Sequence, residues 1–202
     1  MTALDSEAAH LLEFWFGEQQ GGFTDAAHRQ RWFMGGSEFD AECRRAFAAC
    51  HEQAQAGKLE HWHQSAAGSL AFIVLCDQIP RNIYRDSALA FSTDSEALIT
   101  ARQLVDAGSD QNFGFDKRAF LYLPFEHSES LLDQHTSVGL FTALRDQTPQ
   151  GERHLTGSYL QHAHQHRDTI MRFGRFPHRN AALGRTSTAA ELEYLSRSDA
   201  NA

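Results

Sequence analysis

Apolar residues recur every three or four positions along most of the chain, which is the spacing of one face of an α-helix. This pattern predicts helices over residues 4–16, 25–33, 37–56, 66–79, 94–107, 116–133, 136–146, 157–173 and 188–195. The fourth of these is apolar on nearly every side, so we expect a central buried helix. Pro80 is predicted to end it, because proline cannot continue a helical hydrogen-bond ladder.

Helix starts are marked by short polar residues. Residues 93–96 (TDSE) and 188–191 (TAAE) both have the capping-box pattern, and Asp116 is a further predicted N-cap. No stretch alternates for long enough to build a sheet, and no linker is long enough to separate two domains. We therefore predict an all-α fold of about nine mostly antiparallel helices, with a single domain over 1–195 and a frayed tail at 196–202.

Composition narrows the function classes. The formal net charge of −8 makes the chain a poor general ligand for nucleic acid or an anionic membrane. The longest apolar run, 70–76, is too short to span a bilayer, and the N-terminus lacks the features of a secretory signal. Three cysteines cannot all be paired within one chain, and we expect reduced, buried thiols. These features predict a soluble, cytoplasmic protein.

One local block departs from the acidic average. Residues 165–185 contain five arginines and one aspartate. Arginine is suited to bidentate binding of carboxylate or phosphate, which favours an anion site. The alternative is structural, since Arg172 and Arg175 lie at a predicted helix C-terminus, and Arg179 and Arg185 can pair with acids of neighbouring helices. Both interpretations stay open.

Two helix faces place histidines among apolar residues. In segment 157–173, His162 and His166 fall on the apolar face, and in segment 116–133, His127 lies near the centre of the apolar face. A buried imidazole without a polar partner costs about 1–3 kcal/mol. The simplest inference is that His127 and His166 share one polar pocket. Glu126 falls on a different stripe, one that solvent could also cover.

Five sequence blocks resemble those of one bacterial family, the domain-of-unknown-function family nine-two-four. They are WFG (15–17), RWF (31–33), DQIPRN (77–82), FLYLPFEHSE (120–129) and RFGRFPHRNAALGRTSTAAELEYL (172–195). The resemblance implies an all-helical fold like the tetratricopeptide superfamily, and it supplies no established activity. It directs attention to a set of signature positions, namely Glu126, His127, His166, Arg175, Arg179 and Asn180.

A metal site is a weaker interpretation. His162 and His166 have the i, i+4 spacing of a zinc-binding pair, with His127 or Glu126 as a third ligand. No HExxH motif is present, and twelve histidines make chance pairs at this spacing common. We therefore expect neither a metal nor a cofactor.

Three hypotheses for function remain. In the first, a pocket binds a small anionic molecule, and the protein is an acid/base enzyme in the stronger form of the hypothesis. Its catalytic candidates are His127, His166 and Glu126, and its candidates for holding the anion are Arg175, Arg179, Asn180 and Arg81. In the second, a tetratricopeptide-like module without catalytic activity binds an acidic peptide or partner. In the third, the polar residues only tie loops to the helices.

Overall fold

The structure is a computed structural model that describes residues 4–197. Over that range the chain forms ten α-helices and one hairpin of two-residue strands, joined by loops and short 3-10 turns. The predicted all-α fold is confirmed, while the tetratricopeptide-like arrangement stays a prediction. The contacts divide the described chain into two compact units, one of residues 4–85 and 89–124 and the other of residues 86–88 and 125–197. The predicted domain boundary at 195 stays a prediction, and residues 198–202 of the predicted tail lie outside the described residues.

The first unit is built around one apolar helix, α4. In chain order its elements are α1 (Ser6–Phe16), β1 (Gln19–Gln20), β2 (Phe23–Thr24), α2 (Ala26–Met34), α3 (Gly36–Gln55), α4 (Ala66–Asp77), α5 (Ile79–Ile83), α6 (Asp94–Asp106) and most of α7 (Phe115–His127). Every residue of α4 from Gly68 onward is buried, and α4 contacts α1, α3, α5 and α6. This confirms the predicted central helix.

The second unit is built on a pair of long helices. Its elements are the C-terminal end of α7, α8 (Leu131–Gln147), α9 (Arg153–Phe173) and α10 (Ala189–Leu195). α8 and α9 pack along each other and bury Phe141 and Leu144 of α8 and Leu160 and Ala163 of α9. The predicted capping box at Thr188 and Glu191 is present at the start of α10.

Two predicted helix boundaries and one predicted capping box were wrong, each for a physical reason. Pro80 lies in the first turn of α5, where its missing N–H removes no helical hydrogen bond. The Thr93 hydroxyl donates to the carbonyl of Cys76 at 2.7 Å instead of capping α6. Asp116 lies within the first turn of α7, and its carboxylate accepts the N–H of Thr24 at 2.8 Å.

The end of α7 was also predicted wrongly, at Asp133 instead of His127. The fully buried Gln134 side chain donates to the carbonyls of Glu126 at 2.6 Å and Ser128 at 2.7 Å. These bonds satisfy carbonyls that the helix leaves open at its C-terminus. The chain therefore turns at Ser128, and α8 begins at Leu131.

Among residues 4–197, no helix combines the length and the apolar character needed to cross a bilayer. Cys43, Cys50 and Cys76 are all buried and unpaired with one another, as predicted. Burial raises the pKa of Cys43 and Cys50 to about 12, so neither thiol is a nucleophile at neutral pH.

Replacing Gln134 with methionine tests this account of the α7–α8 turn. The change keeps the side-chain length but leaves one buried and one half-buried carbonyl without their donor, so we expect the free energy of unfolding to fall by about 1–3 kcal/mol. Urea denaturation measures the difference. Gln161→Met, at an exposed position of α9, is the matched control and should change stability by less than about 0.5 kcal/mol. Equal stability of the two variants would contradict the account.

Candidate functional site

The second unit brings six polar and aromatic side chains together, and we call them the histidine cluster. The end of α7, helix α9 and the segment after Gly174 supply its members, which are Glu126, His127, His166, Phe176, His178 and Arg179. The ring centroids of His127 and His166 lie 6.3 Å apart. The Phe176 ring lies 5.3 Å from His166 and 5.5 Å from His178, so it forms the apolar centre of the cluster.

The hydrogen bonds of His166 define its tautomer. Its Nδ1 lies 3.0 Å from the carbonyl oxygen of His162 and 3.2 Å from a carboxylate oxygen of Glu126. A carbonyl oxygen can only accept, so we infer that Nδ1 carries the proton. In the neutral ring the other nitrogen, Nε2, then bears a lone pair and can accept a hydrogen bond or a proton.

Burial keeps the His166 ring neutral. Its side chain is 12% exposed, and this burial lowers the pKa of His166 to about 3. His127, His178 and Arg179 act in the same direction, while the bond to His162 acts against it. We therefore infer that the contact with Glu126 is a hydrogen bond from a neutral imidazole.

Arg179 supplies positive charge to the cluster. Arg179 is 6% exposed, and its guanidinium carbon lies 4.5 Å from the centroid of the Phe176 ring, within the range of a cation–π contact. The same charge lowers the pKa of both His166 and Glu129. Arg179 thus lies close enough to influence the protonation of two side chains on different elements.

Glu129 holds the Phe176 segment in place, and sequence reasoning missed it. Its carboxylate accepts two hydrogen bonds from Arg185, at 2.8 and 3.0 Å, and one from the backbone N–H of Phe176 at 2.7 Å. Burial acts to raise the pKa of Glu129, but these bonds lower it below its ordinary value. α7 ends before Glu129, and of the two glutamates only Glu126, 3% exposed, is buried.

Two of the predicted anion-binding side chains, Arg175 and Asn180, make hydrogen bonds within the segment that follows α9. Arg175 makes two hydrogen bonds to Glu191, at 2.6 and 2.8 Å, and these bonds lower the pKa of Glu191 to about 2. The amide of Asn180, which is 2% exposed, donates to the hydroxyl of Ser187 at 3.0 Å. Both side chains therefore stabilise the loop between α9 and α10.

Arg81 belongs to the first unit. Its guanidinium makes two hydrogen bonds to the Asp94 carboxylate, at 2.7 and 2.9 Å, and lies 3.4 Å from the Asp77 carboxylate. These contacts tie α5 to α6 and to the end of α4. The predicted apolar face of α9 was wrong at His162, whose side chain is exposed, so only its backbone carbonyl takes part in the cluster.

The chain is similar to the proteins of one bacterial family. The sequence profile of a family described as "Bacterial protein of unknown function (DUF924)" matches residues 11–199. The chain belongs to this family. A solved structure of a protein of unknown function from Agrobacterium tumefaciens, ATU0120, is similar at 36% identity with a TM-score of 0.78. The similarity covers 94% of this chain and 96% of that one. No curated protein matches the chain significantly.

The whole histidine cluster lies inside the range that the family profile matches. Within residues 4–197, no group of three or more histidine, cysteine, aspartate or glutamate side chains is arranged to hold a metal ion. His162 and His166 therefore lack a third ligand in this part of the chain. That the protein binds no metal stays a prediction.

The buried neutral ring of His166 predicts a specific pH dependence. Because its pKa falls from an ordinary 6.5 to about 3 on folding, the unfolded chain binds a proton between these values and the folded chain does not. Stability should be unaffected above pH 6.5 and fall as the pH is lowered below it, by about 1 kcal/mol per pH unit from this group. Urea unfolding of the wild type and His166→Gln at pH 7, 5.5 and about 4 measures this slope.

The expected result is a shallower slope for His166→Gln, whose amide can still donate to the His162 carbonyl. His162→Gln is the matched control, since His162 is exposed on the same helix and its carbonyl is retained. Identical slopes in all three proteins would contradict the assignment of a buried neutral His166.

Proposed function

We propose that the histidine cluster binds a small anionic molecule and exchanges a proton with it, which makes the protein an acid/base enzyme. The observation that carries this proposal is the pair of contacts at His166 Nδ1, to the His162 carbonyl at 3.0 Å and to Glu126 at 3.2 Å. They fix the ring and direct its basic nitrogen, Nε2, away from both oxygens. A histidine held in this way by a carboxylate and a carbonyl is suited to accept a hydrogen bond from a ligand.

The two histidines have different tasks in this proposal. With a pKa of about 3, His166 has no proton on Nε2 at neutral pH and cannot act as a general acid, so we assign it the role of a hydrogen-bond acceptor that positions the ligand. His127 is half-buried and lies beside it, with the access to solvent that proton exchange requires. We assign proton transfer to His127, with Glu126 as the residue that orients His166.

The ligand is anionic because of the charge that Arg179 brings to a largely buried site. A positive charge next to an aromatic ring and the buried His166 acts through a lower dielectric than a surface arginine does. Arg81 is not part of this proposal because it belongs to the first unit. Arg175 and Asn180 are not part of it because they bind Glu191 in α10 and Ser187 in the loop before it. The proton transfer uses side chains alone and needs no cofactor. We place the protein in the cytoplasm, where its three buried thiols stay reduced.

Arg179→Lys is the variant that tests the anion site. Lysine keeps the charge but loses the planar guanidinium, so we expect binding of inorganic phosphate or succinate to weaken about tenfold. Residue-resolved NMR titration measures the affinity through the ring signals of His127 and His166. Arg167→Lys is the matched control, because Arg167 pairs with its neighbour Asp168 on α9 and should leave the affinity unchanged.

Three other outcomes separate the alternatives. Binding of a short acidic peptide but of neither small anion would favour an interaction module over an enzyme. Equal affinity of the Arg179→Lys and wild-type proteins would contradict a bidentate anion site. If His127→Leu and His166→Leu both lose about 1–3 kcal/mol of stability and no probe perturbs the cluster, the histidines are structural and the proposal fails.

A further inference from the structure

The first unit contains a cleft that the proposed function does not use. It has a volume of about 450 Å³ and lies where the first two turns of α3 meet the end of α5. The polar side chains that line it are those of Ser37, Asp40, Arg44, Asn82, Tyr84 and Arg85. Asn82 is the last residue of the DQIPRN block, and Tyr84 and Arg85 follow shortly after it.

Arg44 is the cation of this cleft. Its guanidinium donates to the carbonyl of Ile83, and its carbon lies 6.0 Å from the centroid of the Tyr84 ring. Among the residues that the structure describes, no carboxylate lies within ion-pair distance of Arg44. Arg31 of the neighbouring helix differs in this respect, since it is paired with Glu42.

The acidic side chain of the cleft is already neutralised. Asp40 accepts two hydrogen bonds from Arg85, at 2.9 and 2.7 Å. The cleft therefore carries one net positive charge, which is that of Arg44. An incoming anion meets a compensated carboxylate and an uncompensated guanidinium.

Neutral hydrogen-bonding groups surround Arg44. Asn82 uses its amide N–H to donate to the Gln78 carbonyl at 3.0 Å, which leaves the amide oxygen without a partner in the described part of the chain. The hydroxyls of Tyr84 and Ser37 likewise have no hydrogen-bond partner among residues 4–197. The cleft thus offers charged donors, two hydroxyls and one acceptor.

We propose that this cleft is a second binding site, for a small carboxylate or phosphate that also carries a hydroxyl group. The Nε and Nη1 atoms of Arg44 bind the anion, with the hydroxyls of Tyr84 and Ser37 as further donors. The Asn82 amide oxygen accepts the hydroxyl of the ligand. All of these residues belong to the first unit, so the site is independent of the histidine cluster.

The test is an NMR titration of the full chain with glycolate and, separately, with inorganic phosphate, followed at the Arg44 side-chain N–H and the Tyr84 signals. We expect saturable millimolar binding of at least one probe, and the preferred probe distinguishes a carboxylate site from a phosphate site. Arg44→Met should weaken binding about tenfold, while Arg45→Met, at an exposed position outside the cleft, should change it less than about twofold.

Tyr84→Phe is a second variant, which removes only the hydroxyl and should weaken binding without altering the fold. Absence of saturable shifts at Arg44 and Tyr84 with both probes would overturn the proposal. Equal losses in Arg44→Met and Arg45→Met would also overturn it, because they would show diffuse surface attraction. These shifts report on the first unit, so failure here is distinct from failure at the histidine cluster.

Discussion

The Glu129 carboxylate is the contact on which the arrangement of the histidine cluster depends. It receives the Phe176 N–H at 2.7 Å and both terminal nitrogens of Arg185, which in turn donates to the Phe176 carbonyl at 3.0 Å. The backbone of Phe176 is therefore held on both sides. Because the Phe176 ring contacts His166, His178 and Arg179, this one carboxylate fixes the position of an aromatic ring that three polar side chains share.

Pairing with carboxylates also explains why the arginine-rich block, residues 165–185, does not form a diffuse basic patch. Arg167, Arg175 and Arg185 each pair with a carboxylate, and Arg172 lies over the Phe173 ring. These arginines satisfy acids within an acidic chain. The positive charge of Arg179 differs in its setting, because it is buried against an aromatic ring beside a neutral histidine.

Helical periodicity predicted the buried α4. The apolar faces of two predicted helices were also sufficient to predict that His127 and His166 lie close together. Two of the failures, the capping box at Thr93 and the end of α7, come from side-chain hydrogen bonds made outside the predicted helix. The Thr93 hydroxyl bonds to the carbonyl of Cys76 and Gln134 bonds to the end of α7, and neither contact leaves a periodic signal.

The role of Glu129 could not be predicted from the sequence, because its hydrogen bonds also leave no periodic signal. Its partners, Phe176 and Arg185, lie 47 and 56 residues away. The tautomer of His166 depends on the distances of one nitrogen from two oxygens, which sequence spacing does not contain. Sequence therefore identified residues that meet, and the structure was needed to say what each one does.

The protonation of the two His166 ring nitrogens tests the central claim most directly. A long-range nitrogen–proton correlation spectrum of ¹⁵N-labelled protein distinguishes a protonated ring nitrogen from one with a lone pair. We predict a protonated Nδ1 and an unprotonated Nε2 throughout the range from about pH 5 to 8. A proton on Nε2, or a doubly protonated ring at neutral pH, would contradict the account.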